Sequence, residues 1–85
     1  MNEQEAFIEG ASIGHIDGQS SGGKYYVIGE EVEFARDRCV EHLPLGTSAR
    51  VARSWERGYQ YGYRLAAEGS PLLIGPQITQ GKHLW

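Results

Sequence analysis

The stretch SARVARSWERGYQYGYRLAAEG (residues 48–69) decides the fold of this 85-residue chain, because two secondary structures compete for it. Its middle, GYQYGY, alternates aromatic with small or polar residues as a strand does, and its two glycines weaken a helix. At 100° per residue, however, the apolar side chains and both glycines fall on one arc, with four arginines opposite. A helix is therefore predicted over about residues 48–68, capped by Thr47 or Ser48 and ended at Gly69.

The two glycines of this helix, Gly58 and Gly62, are predicted helix-packing positions. Each costs about 1 kcal/mol relative to Ala in a helix interior. Close approach of another backbone would compensate for that cost, since glycine has no Cβ. The partner that fits this face is a helix or a sheet of the same chain, or the same face of a second copy.

The preceding stretch, EEVEFARDRCVEHL (residues 30–43), has an acidic and an apolar side at helical spacing. Pro44 and Gly46 then end the element, and so short a connection makes the two helices an antiparallel αα-hairpin. An alternative interpretation continues a strand through VEF, so that residues 30–36 fit either strand or helix. The apolar arc comprises Val32, Ala35, Cys39 and Leu43, and the acidic arc Glu30, Glu33, Asp37 and Glu41.

The N-terminal half suggests a β-hairpin. ASIGHI (residues 11–16) and KYYVI (residues 24–28) read as strands around the loop DGQSSGG (residues 17–23). A short strand is also predicted at residues 72–74. The expected fold is α+β: one small domain over residues 1–85, with the N-terminal hairpin packed on the αα-hairpin and mobile ends at residues 1–10 and 79–85.

Composition and charge argue against a membrane protein, a disulfide-stabilised protein and a protein that coats nucleic acid. No apolar run approaches the roughly 20 residues of a membrane helix, and one cysteine forbids an internal disulfide, so a cytoplasmic location is predicted. Residues 1–45 carry nine acidic and three basic side chains, and residues 46–85 carry two and five. The net charge of −3 argues against unselective nucleic-acid coating, which depends on neutralising phosphates.

Catalytic and cofactor motifs are weak. GQSSGGK (residues 18–24) matches a phosphate-binding loop by letters, but Tyr25 follows where that chemistry needs Ser or Thr. Cys39 and His42 have the spacing of two metal ligands on a helix, with no further ligand placed near them. The helical spacing of the acidic arc indicates a face exposed to solvent. We therefore predict a protein that is not an enzyme and that uses no metal or cofactor.

The most informative feature is a stripe of arginines on the long helix, because guanidinium groups bind carboxylates and phosphates through paired hydrogen bonds. Tyr61 lies beside the stripe, where an aromatic ring can stack on a base. The acidic face of the other helix and the terminal Trp85 complete the predicted binding surface. Its residues are Arg50, Arg53, Arg57, Tyr61 and Arg64, with Glu33, Asp37, Glu41 and Trp85.

The segment RGYQYG (residues 57–62) resembles the RGYQ-x-G helix of the ribosome modulation factor family, small proteins that bind ribosomes. That family is shorter and strongly basic, and the resemblance is confined to this part of the chain. It implies RNA or ribosome association as an alternative function, using the arginine stripe.

The leading hypothesis is a non-enzymatic protein that binds another macromolecule, and the predicted partner is a protein or a protein–nucleic acid complex. Small acidic proteins of this kind are commonly inhibitors or modulators encoded by phages and mobile elements, such as anti-CRISPR proteins. A homodimer is compatible with the glycine-lined face, and no membrane partner is expected.

Overall fold

The structure, a computed structural model, describes residues 1–21 and 29–72, and those residues form three helices. Helix α1 spans Glu3–Ser21, α2 spans Glu30–His42 and α3 spans Ala49–Ala67. Neither described range contains a strand. The predicted α+β class is therefore wrong, and the described part of the domain is all-helical.

The predicted αα-hairpin is present, because α2 and α3 run antiparallel with a short connection. The segment 30–36, which fitted either strand or helix by pattern, is helical. Ser48 rather than Thr47 caps α3, since its hydroxyl accepts the backbone N–H of Val51 at 3.3 Å. The helix ends at Ala67, two residues before Gly69, whose φ of 77° allows the closing turn. The Ser70 N–H then donates to the Leu65 carbonyl at 2.8 Å.

The predicted N-terminal hairpin is wrong, because residues 11–16 lie in the middle of α1 and residues 17–21 continue that helix. The second predicted strand, residues 24–28, lies outside the described residues, as do residues 73–85 with Trp85. Leu72, the first residue of the predicted C-terminal strand, is described and is not in a strand.

The start of α1 is fixed by a reciprocal cap. The Asn2 side chain accepts the backbone N–H of Glu5 at 2.7 Å, and the Glu5 carboxylate accepts the backbone N–H of Asn2 at 2.9 Å. Each bond satisfies an N–H group that a helix start would otherwise leave unpaired.

Helices α1 and α3 lie backbone to backbone. A Cβ placed on Gly14 would lie 2.1 Å from the Tyr59 carbonyl oxygen, and one on Gly62 would lie 2.0 Å from the Ala11 carbonyl oxygen. Gly10 and Gly18 on α1 and Gly58 on α3 are similarly close to the facing helix. Along α1, Gly10, Gly14 and Gly18 meet the backbone at Trp55, Tyr59 and Tyr63 in that order, so α1 and α3 are parallel. This contact accounts for α1 being helical despite its glycines: tertiary packing outweighs their low propensity.

The core is a row of three fully buried aromatic side chains on α3, at four-residue spacing: Trp55, Tyr59 and Tyr63. Their rings stack in sequence, with centroids 5.6 Å apart for the first pair and 5.9 Å for the second. Small residues of the other helices pack around them, Ala6 from α1 and Ala35 and Cys39 from α2. The inner face of α3 is thus held on both sides, which directs its outer face to solvent.

Candidate functional site

The outer face of α3 carries the four arginines, but the structure divides them into two classes. Arg64 donates two hydrogen bonds to Oε2 of the buried Glu31 on α2, at 3.2 and 3.3 Å. Arg50 lies 3.7 Å from the Glu3 carboxylate of α1, in a loose and exposed ion pair. Arg53 and Arg57 are exposed and have no carboxylate within ion-pair distance among the residues that the structure describes.

Tyr61 does not stand free beside the arginines. Its ring packs on Phe7 of α1, with centroids 5.7 Å apart and planes tilted by 38°. It forms one wall of a shallow groove of about 300 Å³ along the surface of α3. The groove is lined by Arg57, Gln60, Tyr61, Arg64, Leu65 and Glu68. An apolar side chain would find ring and aliphatic surface there, with guanidinium groups at the edge.

Three of the four predicted acidic-arc residues of α2, Glu33, Asp37 and Glu41, are exposed, as the helical pattern predicts. Glu30 is half-buried instead, and Val32 of the predicted apolar arc is exposed. Glu41 is engaged by Arg38, whose Nη1 donates to it at 2.7 Å. Glu33 and Asp37 are exposed and lack an ion-pair partner among residues 1–21 and 29–72. Val40, three residues beyond Asp37, is 78% exposed, so the face combines exposed carboxylates with an exposed apolar side chain.

Each buried aromatic residue of α3 donates its polar hydrogen to a carboxylate from another helix, a feature that sequence reasoning missed. Trp55 Nε1–H donates to Glu9 at 3.1 Å, Tyr59 O–H to Asp17 at 2.6 Å, and Tyr63 O–H to Glu30 at 3.2 Å. A buried donor without an acceptor would cost about 1–3 kcal/mol. Much of the acidic excess of the N-terminal half therefore serves the core.

Asp17 is the centre of the link between α1 and α2. Arg38 of α2 donates to both of its carboxylate oxygens, at 2.8 and 3.1 Å, and Tyr59 donates a third hydrogen bond. Burial raises the pKa of Asp17, but the hydrogen bonds from Arg38 and Tyr59 outweigh burial, and the net pKa is lowered. The pKa of Tyr59 is raised by burial and by its bond to the Asp17 anion.

A lowered carboxyl pKa makes stability depend on pH. Because Asp17 binds its proton less readily when folded, its contribution is complete above the unfolded pKa, near 3.9, and is lost as pH falls through the folded pKa. We expect Asp17→Asn to lower the free energy of unfolding at pH 7 and to reduce its decline below about pH 4. Urea unfolding between pH 7 and pH 3, followed by circular dichroism, measures both effects. Tyr59→Phe, which removes one of the three hydrogen bonds, should give an intermediate decline; a decline unchanged in Asp17→Asn would contradict the assignment.

The residues considered for metal binding or catalysis do not converge. Cys39 is buried with its thiol toward the Ala52 carbonyl, and burial, together with the charge of Glu56, raises its pKa, which makes it a poor nucleophile. The His42 ring stacks on Trp55, and His15 bonds to the Ser70 carbonyl at 2.9 Å. Over the described residues, no three His, Cys, Asp or Glu side chains are placed to share a metal ion.

Comparison of the chain with protein-family models, with curated proteins and with solved structures gives no significant match. Within the described ranges, none of the helices has the length and apolar character needed to cross a membrane.

Proposed function

We propose that this protein is a non-enzymatic protein-binding domain, an inhibitor or modulator that docks on an acidic protein surface through the outer face of α3. The observation that carries the proposal is the pair Arg53 and Arg57: both are exposed, and neither has an ion-pair partner in the described part of the chain. They lie one turn apart, so their guanidinium groups can reach neighbouring carboxylates of one partner.

The rigidity of α3 favours binding. Its inner face is held by α1 through backbone contacts and by α2 through the aromatic row, so the helix need not become ordered when a partner arrives. A preorganised surface avoids part of the entropic cost of association. Exposed arginines steer the encounter with an acidic partner and fix its orientation.

A protein partner is favoured over RNA because several side chains of the predicted binding surface already make contacts within the molecule. Arg50 and Arg64 face the carboxylates of Glu3 and Glu31, which leaves two guanidinium groups for phosphates. Affinity for RNA depends on the number of phosphates neutralised, and the chain has a net charge of −3. Because Tyr61 packs on Phe7, its ring offers less surface for stacking on a base.

The test is affinity capture from a nuclease-treated lysate of the native host, with bound proteins quantified by mass spectrometry. Arg53→Glu and Arg57→Glu should each reduce recovery of a specific partner about tenfold or more, since charge reversal creates like-charge repulsion across the contact. The matched control is Arg36→Glu, an exposed arginine on α2 whose reversal changes the net charge equally. Its recovery should stay at the level of the parent protein.

A partner recovered equally by all variants would contradict the proposal, because it would not use the α3 face. The RNA alternative is measured directly, by titrating a labelled single-stranded RNA of mixed sequence at low salt. Binding that weakens steeply with salt and is lost in Arg53→Glu would assign the face to RNA and overturn the protein assignment.

A further inference from the structure

We propose that the outer face of α3 binds the acidic face of α2 in a second copy of the chain. This inference rests on the proposed function, since it names the acidic surface that the α3 face recognises. It concerns two surfaces: the arginine face, Arg53 and Arg57 with the adjoining groove, and the acidic face, Glu33 and Asp37 with Val40.

Charge complementarity carries the proposal. Several charged side chains of the described helices are already engaged within the molecule: Arg38 with Asp17 and Glu41, Arg64 with Glu31, and Arg50 with Glu3. Among residues 1–21 and 29–72, the arginine face and the acidic face each retain two charges without an ion-pair partner, of opposite sign and on different helices.

The spacing of the charges also matches. Arg53 and Arg57 are four residues apart on α3, and Glu33 and Asp37 are four residues apart on α2. Four residues of α-helix advance by about 6 Å, so two helices laid side by side can form both ion pairs at once. Neither face has to bend, because both pairs lie within regular helix.

An apolar contact accompanies the charges. Val40 lies on the same side of α2 as Asp37, three residues further along, and is 78% exposed, so its side chain is accessible to a partner. The groove beside Arg57, walled by Tyr61 and Leu65, has a volume of about 300 Å³ and can receive a side chain of this size. The same helix pairing therefore covers an exposed valine and forms the two ion pairs.

The two faces lie on different helices, so the contact is heterologous: one copy supplies α3 and its neighbour supplies α2. The resulting pair retains one unused α2 face, on the copy that supplied α3, and one unused α3 face, on its neighbour. Association therefore continues beyond a dimer unless a ring closes. A contact between two helices is smaller than the roughly 1,200 Å² of a standard stable interface, so we expect it to be weak and sensitive to salt.

The experiment is sedimentation velocity on the purified full-length chain, over a concentration series at low and at high salt. The parent protein should show a mass that rises with concentration at low salt and falls toward the monomer at high salt. Arg53→Glu/Arg57→Glu has two acidic faces, and Glu33→Arg/Asp37→Arg has two basic faces. Each variant alone should self-associate about tenfold or more weakly than the parent, because like charges face each other.

Mixing the two variants is the decisive step. The acidic α2 of the first variant matches the basic α3 of the second, and the acidic α3 of the first matches the basic α2 of the second. An equimolar mixture should therefore recover the association of the parent protein, although each variant alone associates weakly. Circular dichroism of each variant confirms that it is folded. A parent protein that stays monomeric at the highest concentration and lowest salt, or a mixture that stays monomeric, would overturn the proposal.

The outcome separates this inference from the proposed function. A monomeric protein that still captures a host partner through Arg53 and Arg57 would retain the docking face and reject the second copy as its occupant. Self-association that survives in Arg53→Glu/Arg57→Glu alone would also reject the pairing, because it would use another surface.

Discussion

Replacing Gly14 with alanine is expected to destabilise the domain strongly. The added methyl group would lie 2.1 Å from the Tyr59 carbonyl oxygen, within van der Waals overlap of backbone that belongs to a packed helix. Overpacked cores lose about 1–3 kcal/mol when side chains can shift, and more when they cannot. Here α1 as a whole must move away from α3, which also separates the other glycine contacts.

The net effect of this substitution must be set against helix propensity, which favours alanine by up to about 1 kcal/mol. We expect a net loss of at least about 3 kcal/mol. A domain of this length has a free energy of unfolding of roughly 4–13 kcal/mol. Urea unfolding followed by circular dichroism measures the loss. Gly62→Ala, which meets the Ala11 carbonyl oxygen, should behave in the same way.

Gln19→Ala is the matched control in α1, since Gln19 is exposed. An exposed substitution of this kind should alter stability by no more than about 0.5 kcal/mol. If Gly14→Ala were as stable as the control, the backbone contact between α1 and α3 would not exist as described.

Trp55→Ala is the second large effect, with an expected loss of about 3–5 kcal/mol. Trp55 is fully buried, stacks on Tyr59 and His42, and gives its indole hydrogen to Glu9. Removing the ring leaves a cavity between all three helices and ends the row of stacked rings. The same urea measurement applies, with the slope of the transition as a check that the folded state remains compact.

Trp55→Phe distinguishes the contribution of ring packing from that of the indole hydrogen bond. It keeps an aromatic side chain in the row but leaves the Glu9 carboxylate without the indole donor, for which we expect a smaller loss, about 1–2 kcal/mol. Equal losses in the alanine and phenylalanine variants would show that ring volume contributes little, contrary to the packing described.

Sequence reasoning located α2 and α3 because their apolar and charged residues repeat at the helical period. It failed for α1, where glycines and alanines at four-residue intervals leave no strong amphipathic pattern. Those glycines allow close contact with a facing helix, and a single sequence does not show which segments face each other. The segment 11–16 was therefore predicted as a strand on local composition, and tertiary packing overrode that preference.

A local signal for α1 was nevertheless present. Asn2 followed three residues later by Glu5 is the pattern of a reciprocal helix cap, and it directly precedes Ala6 and Phe7. Gly10, Gly14 and Gly18 repeat the four-residue spacing of Gly58 and Gly62. Taken together, these signals favour two helices joined through their glycines.

The candidate site was predictable only in part. The helical period placed four arginines on the outer face of α3, but it could not show that two of them face carboxylates from other helices. Glu3 and Glu31 are remote from Arg50 and Arg64 in sequence and become their neighbours only through the fold. The carboxylates that accept hydrogen bonds from the aromatic row, such as Asp17 and Glu9, could not be identified from the sequence for the same reason.

The parallel arrangement of α1 and α3 has a consequence for biosynthesis. Glu9 and Trp55 are 46 residues apart in sequence, so the glycine-lined side of α1 leaves the ribosome well before the surface that covers it. The αα-hairpin has local partners and can form early, whereas α1 waits for a distant one, and closing such a loop slows folding. During that interval the nascent chain carries the glycine-lined side of α1 without the helix that covers it in the folded domain.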